Sequence, residues 1–280
     1  MTEIQQRPPA IDGTGADPVA GKFARLDDID MYVISEFDRM RPFLVSVVSH
    51  SDHWMYVPSG GGLTAGRVEP DRSLFPYETD DRLYRAGGAT GPFSLLLVMR
   101  DGADPVLWEP FSGRDDSTPV SRNLWRSGTG DTVVFEETRR DLELTFRYRW
   151  ATSAEYGFVR RATIINSGRT SVAVDILDGL RNLMPANVPL GLQQTSSNLV
   201  EAYRRNEVDA ATGMAIYSLE AGITDRSEPA ESLHANIVWS VGLPAPIVAI
   251  SDDQIANFRN GHSLEAETLT KGCRGHYLLN

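Results

Sequence analysis

The stretch DLELTFRYRW, residues 141–150, decides the fold class. Apolar and polar residues alternate through it, which is the period of a β-strand with one buried and one solvated face. The apolar positions are Leu142, Leu144, Phe146, Tyr148 and Trp150. The chain then turns, continues as FVRRATIIN, reverses near Ser167 and returns as SVAVDILDGL, which is rich in β-branched residues. This pattern predicts three consecutive antiparallel strands, whose apolar face needs a second layer of structure to cover it.

Short apolar segments bounded by Gly, Pro, Asn or Asp recur at roughly ten-residue spacing along the rest of the chain, and no alternation of strand and helix appears. We therefore predict a mainly β fold, a two-layer antiparallel supersandwich with one or two short helices. One helix is expected to begin after an N-cap at Thr195 or Ser196. Its buried face is expected to carry Leu199, Ala202, Tyr203 and Asn206.

The chain of 280 residues is long enough for one large all-β domain. Residues 1–28 are polar and read as a disordered leader, so the predicted domain spans 29–280. The final strand stops at Leu278, Leu279 and Asn280. We expect it to leave an apolar sheet edge, a hazard that complete domains avoid, and therefore predict a C-terminally truncated piece of a longer polypeptide.

Charge and composition exclude several classes of partner. A net charge of −11 and a pI near 4.9 repel nucleic acids and anionic membranes, but not neutral sugars. No apolar run approaches the ~20 residues of a membrane span, and no secretory signal is recognisable, so a cytoplasmic location is expected. Cys273 is the only cysteine, which suits a reducing compartment and excludes an intramolecular disulfide.

Residues 60–91 contain many glycines together with Pro70 and Pro76. Regular structure is not expected over most of this segment, and loops of such length are usually functional or disordered. Its aromatic and leucine side chains favour an ordered loop because they gain free energy on burial. These are Leu74, Phe75, Tyr77, Leu83 and Tyr84.

A sugar site needs an aromatic face for the apolar side of the ring and planar polar groups for its hydroxyls. The candidate substrate-binding residues are Trp54, Tyr56, Arg67, Tyr77, Asp80 and Asp81, with Trp108 and Trp125 supplying the same chemistry. The alternative is that these aromatic residues belong to the core, as most do in β-sandwiches.

No catalytic residue is assigned. Glycoside hydrolysis needs two carboxylates about 5 to 9.5 Å apart across the bond, whereas the neighbours Asp80 and Asp81 diverge on an extended chain, as do Asp115 and Asp116. Glu136 and Glu137 are expected to be solvated at a strand end. His50 and His53 would point to opposite faces of a strand, so no metal site is predicted, and no nucleotide or acyl-transfer motif occurs.

Two segments resemble a known family. GGLTAGR, residues 61–67, with LFPYETDDR, residues 74–82, is similar to the N-terminal region of large bacterial proteins related to cellobiose phosphorylase and other glycan phosphorylases. The later VRRATIINSGRTSVAVDILDGLRN, residues 159–182, resembles the sandwich strands of the same proteins. The resemblance covers residues 30–280.

The resemblance implies a galactose-mutarotase-like sandwich that supports a downstream (α/α)₆ barrel of the same polypeptide. In the family the barrel carries the general acid and the phosphate site, so the full-length parent would be a glycan phosphorylase, with inorganic phosphate as co-substrate, or a glycoside hydrolase, and this chain would need no cofactor. The resemblance also implies that the Gly60–Tyr84 loop contributes to sugar binding or to a homodimer. The resemblance implies that this chain is the sandwich domain alone and lacks the catalytic residues, so it is expected to be inactive by itself, and fold analogy does not transfer activity.

Two other functions remain. A stand-alone carbohydrate-binding protein would show a concave polar cleft with exposed aromatic residues, whereas a supporting domain would show a broad bare apolar patch. An aldose-1-epimerase would use a histidine and a carboxylate as acid and base. His234 and Glu201 are the candidates for that pair.

Overall fold

The computed structural model describes residues 19–78, 80–84, 87–100, 102–112, 118–223 and 234–280. This part of the chain is mainly β, and its paired strands are all antiparallel. In chain order the strands are β1 Gly21–Leu26, β2 Ile29–Ser35, β3 Leu44–Val47, β4 His53–Pro58, β5 Thr64–Arg67, β6 Ser73–Phe75, β7 Gly91–Arg100, β8 Ala103–Trp108, β9 Val120–Ser127, β10 Thr132–Arg139, β11 Leu144–Ser153, β12 Gly157–Asn166, β13 Val174–Leu183, β14 Arg204–Asp209, β15 Met214–Leu219, β16 Asn236–Val238, β17 Val248–Ala249, β18 Leu269–Lys271 and β19 Gly275–Leu279.

The strands form four sheets. One is six-stranded in the order β1-β2-β9-β10-β11-β12, and one is five-stranded in the order β17-β19-β13-β7-β8. Two four-stranded sheets run β3-β4-β5-β6 and β16-β15-β14-β18. The sequence predicts a mainly β fold with antiparallel sheets, and the described residues confirm both features.

The alternation of apolar and polar residues in β11 gives this strand one buried face and one partly solvated face, as predicted. Phe146 and Trp150 are almost fully buried, whereas Arg147 and Arg149 on the other face are half-buried. The predicted three-stranded meander is wrong in its last member, because β13 does not pair with β12. It crosses to the five-stranded sheet and lies there between β7 and β19, with Leu177 fully buried.

One apolar cluster joins the four sheets. Phe146 and Trp150 of the six-stranded sheet belong to the same cluster as Leu96 of β7, Phe75 of β6 and Tyr217 of β15. Since each of these side chains is at most 1% exposed, their removal from water is a main source of stability. The six-stranded sheet therefore buries its apolar face against residues from the other three.

The helices of the described part are short: α1 Asp80–Leu83, α2 Leu190–Thr195, α3 Ser197–Tyr203 and α4 Asp253–Arg259, with 3₁₀ turns at Phe37–Arg39 and Pro70–Arg72. The described residues thus contain more short helices than the one or two that the sequence predicts. The predicted helix after Ser196 is confirmed as α3. Its predicted apolar face is wrong, because Leu199 and Tyr203 are exposed, Val200 is the buried residue and Asn206 lies in β14.

The segment expected to lack regular structure contains β5, β6, α1 and a 3₁₀ turn. Gly66 permits this, because the Trp54 ring packs where a side chain at residue 66 would stand, 2.5 Å from its Cβ position. Phe75 and Leu83 are buried, which confirms the expected order of this segment.

Both ends of the described chain lie in sheets. β1 falls within the predicted 1–28 leader, so this leader is ordered from Gly21 at the latest, while residues 1–18 lie outside the described residues. The expected apolar edge at the last strand is wrong, because β19 pairs with β17 and β13 and its Leu278 is fully buried. That this chain is a piece of a longer polypeptide remains a prediction, and an exposed apolar edge at the last strand no longer supports it.

None of the helices in the described residues is long and apolar enough to cross a membrane.

Candidate functional site

Three of the predicted sugar-binding residues lie together on the surface. Trp54 and Tyr56 point to the same face of β4, with ring centroids 6.3 Å apart. Tyr77 meets Trp54 edge-on at 5.7 Å. Tyr56 is 40% exposed, and the Trp54 indole N–H is buried with no hydrogen-bond partner found for it in the described structure. We call Trp54, Tyr56 and Tyr77 the aromatic platform.

Of the polar residues predicted for the same site, Arg67 has no hydrogen bond, ion pair or ring contact with the platform within the described residues. Arg67 pairs with His53 in the β4–β5 register, and its guanidinium is held by Asp52, with Nη2 2.8 Å from Oδ2. Asp80 and Asp81 lie in α1, but their side chains fall outside the described residues. The structure thus brings the three aromatic members of the predicted site together, and the places of the Asp80 and Asp81 carboxylates lie outside the described residues.

His53 is a buried residue of β4, whereas His50 is exposed. The His53 ring packs edge-on against Phe158 at 5.0 Å, and its Nδ1 lies 3.1 Å from the Ser51 hydroxyl. Burial lowers the pKa of His53 below 6.5, and the Arg67 charge acts in the same direction. Among the described residues, no group of three or more His, Cys, Asp or Glu side chains is placed to hold a metal ion.

A cavity of about 200 Å³ opens where the Phe37–Arg39 turn, the β4–β5 turn and the segment after β8 meet the buried face of the six-stranded sheet. We call it the Arg122 cavity. Most of its wall is aromatic or apolar, and its polar side chains include one carboxylate and one guanidinium. It is lined by Phe37, Asp38, Met40, Pro42, Ser59, Gly60, Gly61, Tyr84, Phe111, Arg122, Phe135 and Tyr148.

Glu137 organises the wall of this cavity from behind. Its Oε1 accepts a hydrogen bond from the Trp108 indole at 2.7 Å, and its Oε2 accepts two more, from the Phe111 backbone N–H and from Arg122 Nε, both at 2.7 Å. The residue is 1% exposed. A buried carboxylate is tolerated because charged and polar donors replace its water.

Arg122 links this buried carboxylate to the mouth of the cavity. Its Nη2 donates to the Ser112 carbonyl at 2.9 Å, and its Nη1 lies 3.6 Å from Asp38 Oδ2. The Asp38 side chain is 35% exposed. The cavity therefore presents a fixed guanidinium next to a carboxylate that solvent can reach.

Phe111 is held in a strained backbone conformation, with φ of 62°. Such a left-handed geometry costs a non-glycine residue of order 1 to 3 kcal/mol and persists only where its surroundings enforce it. Here Glu137 fixes the Phe111 N–H, and the ring packs 5.2 Å from Tyr148 and 6.2 Å from Phe135.

The expectation that Glu136 and Glu137 are solvated at a strand end is wrong. β10 lies inside the six-stranded sheet, and the two residues are 5% and 1% exposed on its opposite faces. Glu136 accepts hydrogen bonds from Asn123 at 2.7 Å and from Arg147. The signal that could have found this burial is the register of the sheet. Arg122 on β9 lies directly across from Glu137, and Arg147 on β11 lies directly across from Glu136.

The epimerase pair is not assembled. The Glu201 carboxylate lies 3.5 Å from Arg274 Nε, and His234 is exposed. No hydrogen bond or ion pair connects the two within the described ranges. A histidine and a carboxylate do approach each other at His276 and Asp252, 3.3 Å apart, but His276 is 1% exposed and cannot reach a ligand in solvent.

The arrangement around Arg122 suits binding better than proton transfer. Glu137 accepts three hydrogen bonds from protein donors and does not line the cavity, so it is a supporting group and not a proton donor or acceptor for a ligand there. Asp38 can accept hydroxyl protons in hydrogen bonds, and Arg122 can donate to a hydroxyl oxygen. The aromatic wall can cover an apolar ring face.

Searches with protein-family models and among curated proteins found no match to this chain.

Proposed function

We propose that this chain is a non-catalytic carbohydrate-binding β-domain whose ligand, a neutral sugar, lies in the Arg122 cavity. The observation that carries the proposal is the combination of an aromatic wall with Asp38 and Arg122 at its mouth. Ligand sites in proteins are concave, mostly apolar and equipped with a few convergent polar groups, as this cavity is. The chain's charge of −11 favours neutral ligands over anionic ones.

Calorimetric titration with a panel of neutral mono- and oligosaccharides tests the proposal. We expect saturable binding by the wild-type chain and an affinity loss on the order of tenfold in Tyr84→Ala, which removes one aromatic wall. The matched control is Tyr156→Ala, because Tyr156 is 56% exposed and does not line the cavity. Equal affinities in the wild type and Tyr84→Ala would refute the site, and no binding to any member of the panel would refute the function.

At the level of fold, we propose a two-layer, galactose-mutarotase-like supersandwich, on two grounds. One is the resemblance of residues 61–82 and 159–182 to the N-terminal regions of glycan phosphorylases. The other is the core shared between the six-stranded sheet and the remaining sheets. The same resemblance supports the further proposal that a catalytic barrel of a glycan phosphorylase or glycoside hydrolase lies downstream in a full-length parent enzyme.

A supporting role for such a barrel is favoured by one surface feature. Ile237, Trp239, Val241 and Leu243 are all exposed, with Val241 at 90%, and the Trp239 ring lies 6.3 Å from that of Tyr156. Exposed apolar patches mark interaction surfaces. We propose that the downstream barrel covers this patch.

Sedimentation velocity distinguishes the barrel from a homodimer as the partner at this patch. The chain alone is expected to sediment as a monomer. A dimer that Trp239→Ser with Val241→Ser abolishes would show that a second copy covers the patch instead.

A cytoplasmic location completes the proposal. It is supported by the single cysteine, since secreted proteins more often carry disulfides.

A further inference from the structure

Tyr148 is one of three tyrosines in the described residues that are less than a tenth exposed, together with Tyr217 and Tyr277. The Tyr217 hydroxyl donates to the His276 carbonyl at 2.5 Å, and the Tyr277 hydroxyl donates to the Gly213 carbonyl at 2.9 Å. Within the described residues, the Tyr148 hydroxyl forms no such hydrogen bond. A buried hydroxyl without a partner costs free energy, so this one needs a partner from outside the protein.

Tyr148 differs from the other two tyrosines in its place, because it lines the Arg122 cavity. It lies on the buried face of β11 and is 4% exposed, so it belongs to the deep part of the cavity wall. Asp38 and Arg122 lie nearer the solvent, with side chains that are 35% and 19% exposed. The Trp150 indole N–H also lacks a partner among the described residues, but Trp150 does not line the cavity. The cavity is therefore the space in which the Tyr148 hydroxyl can meet a ligand.

Three side chains hold the Tyr148 ring in one orientation. Phe135 stacks on the ring at a centroid distance of 4.9 Å, Phe111 meets it edge-on at 5.2 Å, and the Arg160 guanidinium lies 5.4 Å from its centroid. Burial raises the pKa of the Tyr148 hydroxyl above the ordinary 10, so the proton stays on the oxygen at neutral pH. The hydroxyl is thus a fixed hydrogen-bond donor, and its oxygen can also accept.

We propose that the Tyr148 hydroxyl selects the sugar by forming a hydrogen bond with one sugar hydroxyl in the deep part of the Arg122 cavity. This contact presupposes the proposed function, because it lies in the same cavity. A site with a buried hydrogen-bonding group rejects a ligand that lacks the matching hydroxyl, since the protein group is then left unpaired. The preferred ligand is a neutral sugar that places one hydroxyl against Tyr148 and others against Asp38 and Arg122 at the mouth.

The stability of the chain without ligand tests whether the Tyr148 hydroxyl is free of the protein. Tyr148→Phe removes the hydroxyl and keeps the ring, so urea denaturation should give a stability equal to that of the wild type or higher. The matched control Tyr217→Phe should lower the folding equilibrium constant on the order of tenfold, because its hydrogen bond to the His276 carbonyl is lost. A loss in Tyr148→Phe as large as in Tyr217→Phe overturns the proposal.

Calorimetric titration tests the contact itself, with the tightest-binding sugar of the neutral panel and its monodeoxy analogues as probes. We expect one analogue to bind the wild type roughly 10- to 100-fold more weakly than the parent sugar. Tyr148→Phe should bind the two alike, and Tyr217→Phe should keep the wild-type discrimination. If Tyr148→Phe binds and discriminates as the wild type does, this contact is refuted while the proposed function stands. If no sugar of the panel binds the wild type, both are refuted.

Discussion

Glu137 accepts hydrogen bonds from three donors that belong to three segments of the chain: Trp108 in β8, Phe111 in the segment that follows it, and Arg122 in β9. Each of these donors is next to the Arg122 cavity or lines its wall. The carboxylate thereby fixes the cavity while facing away from it. Preorganisation by such supporting groups is what makes a binding site rigid.

Glu137→Gln keeps the size of the side chain but replaces one acceptor oxygen by an NH₂ group. This NH₂ group would face a hydrogen-bond donor to which it cannot bond. We expect the free energy of unfolding to fall by about 3 kcal/mol, because a buried, charge-assisted network is broken. Urea denaturation measures it. The control is Glu143→Gln, since Glu143 is exposed. Unchanged stability in Glu137→Gln would contradict the role given to this carboxylate.

His53 makes stability depend on pH. Burial lowers its pKa in the folded chain below the ordinary 6.5, so the unfolded chain binds the proton more readily. The contribution of His53 is complete above pH 6.5 and is lost as pH falls from 6.5 toward the folded pKa. Urea midpoints between pH 7 and 5 should decline more steeply in the wild type than in His53→Gln, and parallel declines would exclude His53 as the cause.

At the scale of elements, the strand pattern is readable because one sheet face is buried and the other is wet. That alternation identified β11, and the helix after Ser196 followed from a capping residue. Partner choice was not readable: β12 and β13 are consecutive and both β-rich, yet they belong to different sheets. Which strands pair depends on contacts distant in sequence, and no local pattern encodes them.

An ion pair connects these two consecutive strands across the sheets. Arg160 of β12 binds both oxygens of Asp178 in β13, at 2.7 and 2.8 Å, and its guanidinium lies 5.4 Å from the Tyr148 ring centroid. The Ser94 hydroxyl of β7 donates to the same carboxylate at 2.6 Å. This pair fixes the position of the six-stranded sheet relative to the five-stranded one.

Arg160→Ala is expected to destabilise the fold by roughly 3 to 5 kcal/mol, because it leaves the Asp178 charge buried without its partner. Arg160→Met with Asp178→Leu should recover part of that loss. The matched control is Arg161→Ala, on the exposed face of the same strand. A double-variant cycle by urea denaturation measures the coupling, and a loss in Arg160→Ala no larger than in Arg161→Ala would refute it.

For the whole molecule, the sequence allowed prediction of a mainly β, antiparallel fold but only part of the candidate site. Trp54 and Tyr56 cluster because residues two apart on a strand share a face, whereas the contact of Tyr77 with Trp54 joins two segments of the sheet and has no local sequence signal. The Arg122 cavity was missed because its walls come from distant segments, such as Asp38, Tyr84 and Tyr148. The sequence predicts a solvated Glu137, because the burial of a carboxylate becomes visible only when its hydrogen-bond partners are known.

In the proposed complex, a neutral sugar binds with its apolar ring face on the wall of the Arg122 cavity. Saturation-transfer difference NMR with a ligand found by titration tests this most directly, because it reports which sugar protons touch the protein. We predict strong signals from the ring C–H protons with the wild type and with the platform variant Tyr56→Ala, and weak ones with Tyr84→Ala. Signals that persist in Tyr84→Ala and vanish in Tyr56→Ala would contradict the account and move the site to the aromatic platform.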